Sequence, residues 1–201
     1  MRKILLTACM LGTALWAQSP SSGGGGQSPS TPPTFPESRS AGTAAGPGST
    51  PEPTPAPRKV DDTKFIKESA LGGMAEVEMG KLATQKASSD AVKQFGQRMV
   101  DDHSKANQQL KQAAAKSNIE VPTSLDSKHQ SHIDKLAKLS GPEFDKAYLK
   151  DQVKDHEHDV DKFKDEAQYG SDPNVKQFAM ATLPTLQEHL SAVKDLKKAA
   201  K

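Results

Sequence analysis

The sequence predicts an all-α protein: a ferritin-like four-helix bundle with a long crossover carrying a short helix. Four observations predict it. From residue 61 onward apolar residues recur at three- and four-residue intervals, and no segment alternates with the period of a strand. Capping signals divide that stretch into four long helices and one short one. The loops between the first and second helices, and between the fourth and fifth, are very short, so each pair is an antiparallel hairpin. The connection from the second helix to the fourth is long, the pattern of a bundle with a single crossover.

The first helix is expected from about Asp62 to Ala87, capped by Asp61 or Asp62. The second runs from about Asp90 to Ser117, with Ser88 or Ser89 as its cap. A short third helix follows Pro122, from about Leu125 to Leu139. Ser140-Gly-Pro-Glu143 has the spacing of a capping box, and Pro142 suits a first turn, so a fourth helix opens there and ends near Gly170. Ser171-Asp172-Pro173 opens the fifth, whose closing Lys197, Lys198 and Lys201 complement the negative end of a helix dipole. Pro184 lies inside it and is expected to kink it. Gly72 and Gly73 weaken the first helix and are read as allowing close helix approach.

The first 60 residues have a different character. Met1-Arg2-Lys3 is a basic start, Ile4 to Trp16 is apolar but too short to span a bilayer, and Ala17 closes a signal-peptidase site. Residues 1–17 are therefore read as a signal peptide. Leu15, in the position usually taken by a small residue, is large for it. Residues 18–60 are read as a disordered linker, because Ser, Gly, Pro and Thr bury too little apolar surface to offset ordering entropy. Leu6-Thr7-Ala8-Cys9 resembles a lipobox, so lipid anchoring through Cys9 is the alternative to its removal with the leader. Cys9 is the only cysteine, and without it the domain has no disulfide and relies on packing alone.

Charge excludes several classes of function. The chain carries 27 basic and 25 acidic residues, and loss of Arg2 and Lys3 with the leader evens the balance. The positive field of a nucleic-acid binder is missing. No basic amphipathic helix with an aromatic face suggests membrane binding. No Ser–His–Asp set, Gly-rich phosphate loop, His-Glu-x-x-His or haem-attachment signature is present.

The candidate site lies on the apolar faces. At roughly 100° per residue, Glu76 falls among Phe65, Ser69, Met79 and Ala83, and His103 among Phe95, Met99 and Leu110. His156 falls among Leu149, Val153, Val160 and Phe163, and His189 among Val175, Leu186 and Val193. A polar group on such a face is costly to bury without a partner. Counted from the hairpin turns, Glu76 and His103 differ in level by roughly 3 Å, and His156 and His189 by roughly 4.5 Å. These are two level-matched pairs, and the sequence does not fix whether the pairs meet. They are read either as a metal site for one Zn, Cu or Fe ion or as a closed hydrogen-bond network with Asp102 or Asp155 at its edge. Met79 and Met99 lie about one turn away and would suit copper, although filling core gaps is the favoured reading. His129 and His132 lie one turn apart on the short helix and are read as a solvated face. Asp145 and Tyr148 are expected to bond to the crossover.

Several motifs carry a resemblance. Glu76-Val-Glu-Met-Gly-Lys-Leu-Ala, Arg98-Met-Val-Asp-Asp-His103, Phe144-Asp-Lys-Ala-Tyr148 with Asp155-His156, and Thr182-Leu-Pro-Thr-Leu-Gln-Glu-His189 look like the family called domain of unknown function 4142. The resemblance covers nearly all of residues 61–201. It implies a bacterial exported location and a ferritin-like fold, and no chemistry. A ferritin-type di-iron centre wants Glu-x-x-His on two helices and a Glu on each of the others. Here Val100 and Leu186 stand three residues before His103 and His189, and His158, the one histidine with the spacing (from Asp155), points away from the apolar face.

The sequence thus describes an exported periplasmic or cell-envelope protein, non-catalytic, with a His/Glu core site. A metal-dependent redox protein or oxidase, and a module binding an envelope protein partner, are the alternatives.

Overall fold

Asp61 begins the first helix by accepting the Lys64 N–H on its side chain, which satisfies one of the donors a helix start leaves open. The computed structural model describes residues 59–200. The leader, the linker and Cys9 lie outside them. Five helices follow in order: α1 Asp62–Lys86, α2 Asp90–Lys116, α3 Ser127–Leu136, α4 Gly141–Tyr169 and α5 Pro173–Ala199. No strand occurs among the described residues. None of these helices is long and apolar enough to cross a membrane.

Hydrogen bonds at the helix ends fix the directions. Ser88 and Ser89, in the turn from α1 to α2, donate to Asp145 at the start of α4. At the opposite end, Ser171 and Asp172 donate through their backbone N–H groups to Asp62 at the start of α1. Ser117, just after α2, donates to Asp172. The path is therefore up, down, down, up, and the segment from α2 to α4 climbs the full height of the bundle. The pairs α1/α2 and α4/α5 form the two hairpins, α2 lies beside α5, and α1 lies beside α4. Every neighbouring pair of long helices is antiparallel, and α3 packs on α1 and α4.

Two details differ from the sequence reading. Helix α3 is shorter, because the Asp126 side chain accepts the His129 N–H and fixes the start at Ser127. Leu125 and Leu139, left outside it, still pack on the core. The capping box at Ser140 is not made: Ser140 is extended, and the chain enters α4 through Gly141 at φ +62°, which glycine adopts without strain. Helix α5 runs from Pro173 to Ala199 with Pro184 inside it, as the sequence places it.

Of the two glycines expected to allow close helix approach, Gly73 does so and Gly72 does not. A Cβ on Gly72 would meet nothing, whereas one on Gly73 would strike the Asn107 side chain. The tight crossing is at Gly80 and Gly96, where a Cβ on either residue would come within 3 Å of the other's carbonyl oxygen. Only glycine at both positions lets α1 and α2 approach this closely.

The apolar interior forms two clusters. The upper one contains Met79, Ala83, Phe95, Met99, Phe144, Tyr148, Leu149 and Val193. The lower one contains Phe65, Ile66, Leu110, Val160, Phe163, Phe178 and Leu186. On α2, α4 and α5 the residues between the two clusters are His103, Gln152 with His156, and His189, and on α1 Glu76 takes that level. The polar layer therefore lies midway along the bundle.

Candidate metal centre

All four sequence-chosen residues are buried, with Glu76 2%, His103 6%, His156 0% and His189 1% exposed. The structure joins three of them. One ring nitrogen from each of His103, His156 and His189 lies within 4.8 Å of one from each of the others. Their ring centroids are 5.4–5.8 Å apart. The two hairpins thus meet at the histidines, α2 supplying one and the second hairpin two. His103 is not held in a pair with Glu76, as level-matching within the hairpin suggested.

Hydrogen bonds assign two of the tautomers. His156 Nδ1 lies 3.0 Å from the Gln152 carbonyl oxygen, which can only accept, so Nδ1 carries the proton and Nε2 the lone pair. His189 Nε2 lies 2.8 Å from Asp102 Oδ2 and donates to it, which leaves the lone pair on Nδ1. Burial would raise the Asp102 carboxyl, but the hydrogen bonds and charges of His189 and Arg98 outweigh it and hold the group below its ordinary range, ionised. His156 Nε2, His189 Nδ1 and His103 Nε2 are buried without a hydrogen-bond partner. Burial disfavours protonation of all three rings, and repulsion from neighbouring rings reinforces this at His103 and His156. It carries His156 down to about 4, puts His103 well below its ordinary value, and lowers His189 despite the opposing Asp102. At neutral pH the layer therefore holds three uncharged imidazoles. The lone pairs of His156 Nε2 and His189 Nδ1 cannot satisfy one another, and such a set can accept a proton or a metal ion.

Glu76 belongs to a second polar group. Its Oε2 accepts from Gln152 Nε2 at 2.6 Å, and burial pushes its carboxyl well above the ordinary range, with help from Asp155, Asp159 and Asp151 on α4. Gln152 was not singled out from the sequence. It lies one turn before His156, and its backbone and side chain serve the two polar groups separately. Tyr148 has its ring in the upper cluster and its hydroxyl buried without a partner. Tyr148→Phe is expected to raise the unfolding free energy by about 1 kcal/mol in urea titrations, because it removes an unsatisfied buried hydroxyl and keeps the packing. A loss of similar size would show that the hydroxyl has a partner.

The other sequence candidates fall outside the centre. His129 is bound to Asp126 and His132 to Asp151, at the surface. His158 is exposed, and Asp155, on the edge of α4, bonds to none of the histidines. Met79 and Met99 are core side chains of the upper cluster. Asp145 caps the turn between α1 and α2 and does not bond to the crossover, because the up-down-down-up path brings the start of α4 beside that turn. One further titratable residue was missed: Glu166 on α4 is fully buried and is pushed up to about 8 by burial and the neighbouring Asp62 carboxyl.

A family model described as Domain of unknown function (DUF4142) matches residues 47–196. The chain belongs to the DUF4142 family. No curated protein matches it. The DUF4142 bundle is similar to two solved structures. One is a Streptomyces coelicolor protein named as secreted and assigned to DUF305, with a TM-score of 0.58 and 13% identity over 69% of this chain and 93% of that one. The other is CopM in the Cu(I)-bound form, with a TM-score of 0.59 and 14% identity over 70% of this chain and 98% of that one. At these identities the likeness is one of fold.

Proposed function

We propose that this DUF4142 protein is an exported, non-catalytic metal-binding protein that holds one transition-metal ion between His103, His156 and His189. The observation that carries the reading is the set of three neutral imidazoles with buried, unpartnered nitrogens in one layer. A closed hydrogen-bond network would pair those nitrogens, since each one left unpaired costs about 1–3 kcal/mol. A metal ion satisfies all three. The outer contacts have the pattern of metal-binding histidines, whose second ring nitrogen donates to a carboxylate or a backbone carbonyl. Asp102 does this for His189 and the Gln152 carbonyl for His156. An ion about 2.0–2.1 Å from each nitrogen needs them roughly 3.5 Å apart, a modest contraction from the observed separation. Copper, zinc and iron all accept imidazole. CopM, named in a Cu(I)-bound form, shows that a protein of this fold can carry such an ion. Glu76 is assigned to the adjoining Gln152 pair, not to the ion. Export rests on the leader-like Met1–Ala17 and on the family resemblance.

Elemental analysis of the full-length chain after loading with zinc, copper or iron tests the reading. One ion per chain is expected, and less than about a tenth of that in His103→Ala and His156→Ala. Absence of stoichiometric metal under all three loadings, with circular dichroism confirming folded protein, would remove the centre.

A further inference from the structure

The charges around the three histidines narrow the choice of ion. Every donor is a neutral imidazole, and among the described residues no carboxylate converges with them. The charged groups that face them are few. From α4, Asp159 acts on His156, but Asp159 is neutralised by Lys162 at 2.9 Å. From α2 and α5, Asp102, Arg98 and Glu188 act on His189. These three form one continuous chain. Asp102 accepts from His189 at 2.8 Å and from Arg98 Nε at 3.2 Å, and Arg98 Nη2 reaches across to Glu188 at 2.6 Å. Two carboxylates and one guanidinium leave an excess of a single negative charge. Glu76, in the same layer, is bonded to Gln152.

The cost of burying an ion rises with the square of its charge, so an uncompensated divalent ion is penalised far more heavily than a monovalent one. Coordination number does not separate the two ions, because zinc can complete a set of three histidines with a water, so charge is what distinguishes them. Resting on the metal-centre reading, we propose that the site is selective for copper(I), whose single charge is balanced by the Arg98–Asp102–Glu188 chain, and that Arg98 and Glu188 set the selectivity against divalent ions.

The test is a pair of anaerobic titrations of the full-length chain, copper(I) in competition with bicinchoninate and zinc(II) in competition with a chromogenic zinc chelator. One copper(I) per chain is expected, bound at least about a hundredfold more tightly than zinc(II). Arg98→Gln adds one unit of negative excess and is expected to narrow that ratio about tenfold, whereas Glu188→Gln removes the excess and is expected to widen it. A purely structural role for the chain would move the ratio in the same direction in both variants. Zinc binding as tight as copper(I), or same-direction shifts in the two variants, would overturn the inference and leave the metal centre standing. Binding of neither ion would remove both.

Discussion

Asp145→Ala is expected to lower the unfolding free energy by about 3 kcal/mol. Its carboxylate accepts the Ser88 N–H at 3.1 Å, the Ser88 hydroxyl at 2.5 Å and the Ser89 N–H at 3.0 Å. Ser89 occupies the cap position of α2 but makes no side-chain capping bond of its own, so Asp145 supplies that function from another helix. The residue is 7% exposed, and its removal leaves three donors with little water to turn to. Urea titrations check the magnitude. Asp145→Asn, which keeps one acceptor oxygen, should recover roughly half of the loss. A change below about 0.5 kcal/mol for the alanine variant would show that the turn is held by other contacts.

The second large effect is the acid sensitivity of the metal-free protein. His156 titrates near 6.5 when unfolded and near 4 when folded, so the unfolded chain binds the proton more readily. Its contribution to stability is present above about pH 6.5 and is lost as pH falls toward 4, a change of about 3 kcal/mol for this residue. His103 and His189 act in the same direction. Glu166 acts in the opposite direction. With its folded value at about 8 it favours the folded state at low pH, and that contribution is lost as pH rises from 4.5 through 8. The parent profile is therefore a sum, and the difference from His156→Gln isolates the histidine. Between pH 7 and pH 4 the metal-free parent should lose about 3 kcal/mol more than His156→Gln. Parallel profiles would show that His156 is protonated in the folded state at no such cost.

How much of this was legible in the sequence follows from what each signal measures. Helix starts are local chemistry, and Asp61, Ser89, Ser140 and Asp172 occupy the first-cap positions of their helices, whereas the Asp126 cap of α3 was not read. The faces of Glu76, His103, His156 and His189 follow from helical period alone, and all four are buried. The docking of the hairpins does not follow from period, and it decides that His103 joins His156 and His189 while Glu76 turns to Gln152. Gln152 shares a side of α4 with His156, yet it is neither apolar nor a common metal ligand, so nothing marked it. Asp145 looked like a partner for the crossover because the crossover is its neighbour in sequence, whereas the fold brings the α1–α2 turn to it. Gly80 and Gly96 became a pair only once α1 and α2 were set side by side, since each is innocuous on its own helix.

The split of the core into two apolar clusters has a mechanical consequence. The upper cluster, together with Asp145, fastens the hairpins at one end. The lower cluster, together with Asp62 and Asp172, fastens them at the other. Between these fasteners the hairpins are bonded around the rim of the polar layer, by Gln152 to Glu76, His189 to Asp102 and Arg98 to Glu188, while the ring nitrogens at its centre do not bond to one another. The molecule is clamped at both ends and at the edge of the waist, and left unjoined only at the centre of the waist. An ion gripped by His103 from one hairpin and by His156 and His189 from the other would act as a removable rivet at that waist, joining two halves whose chain connection lies far along the crossover.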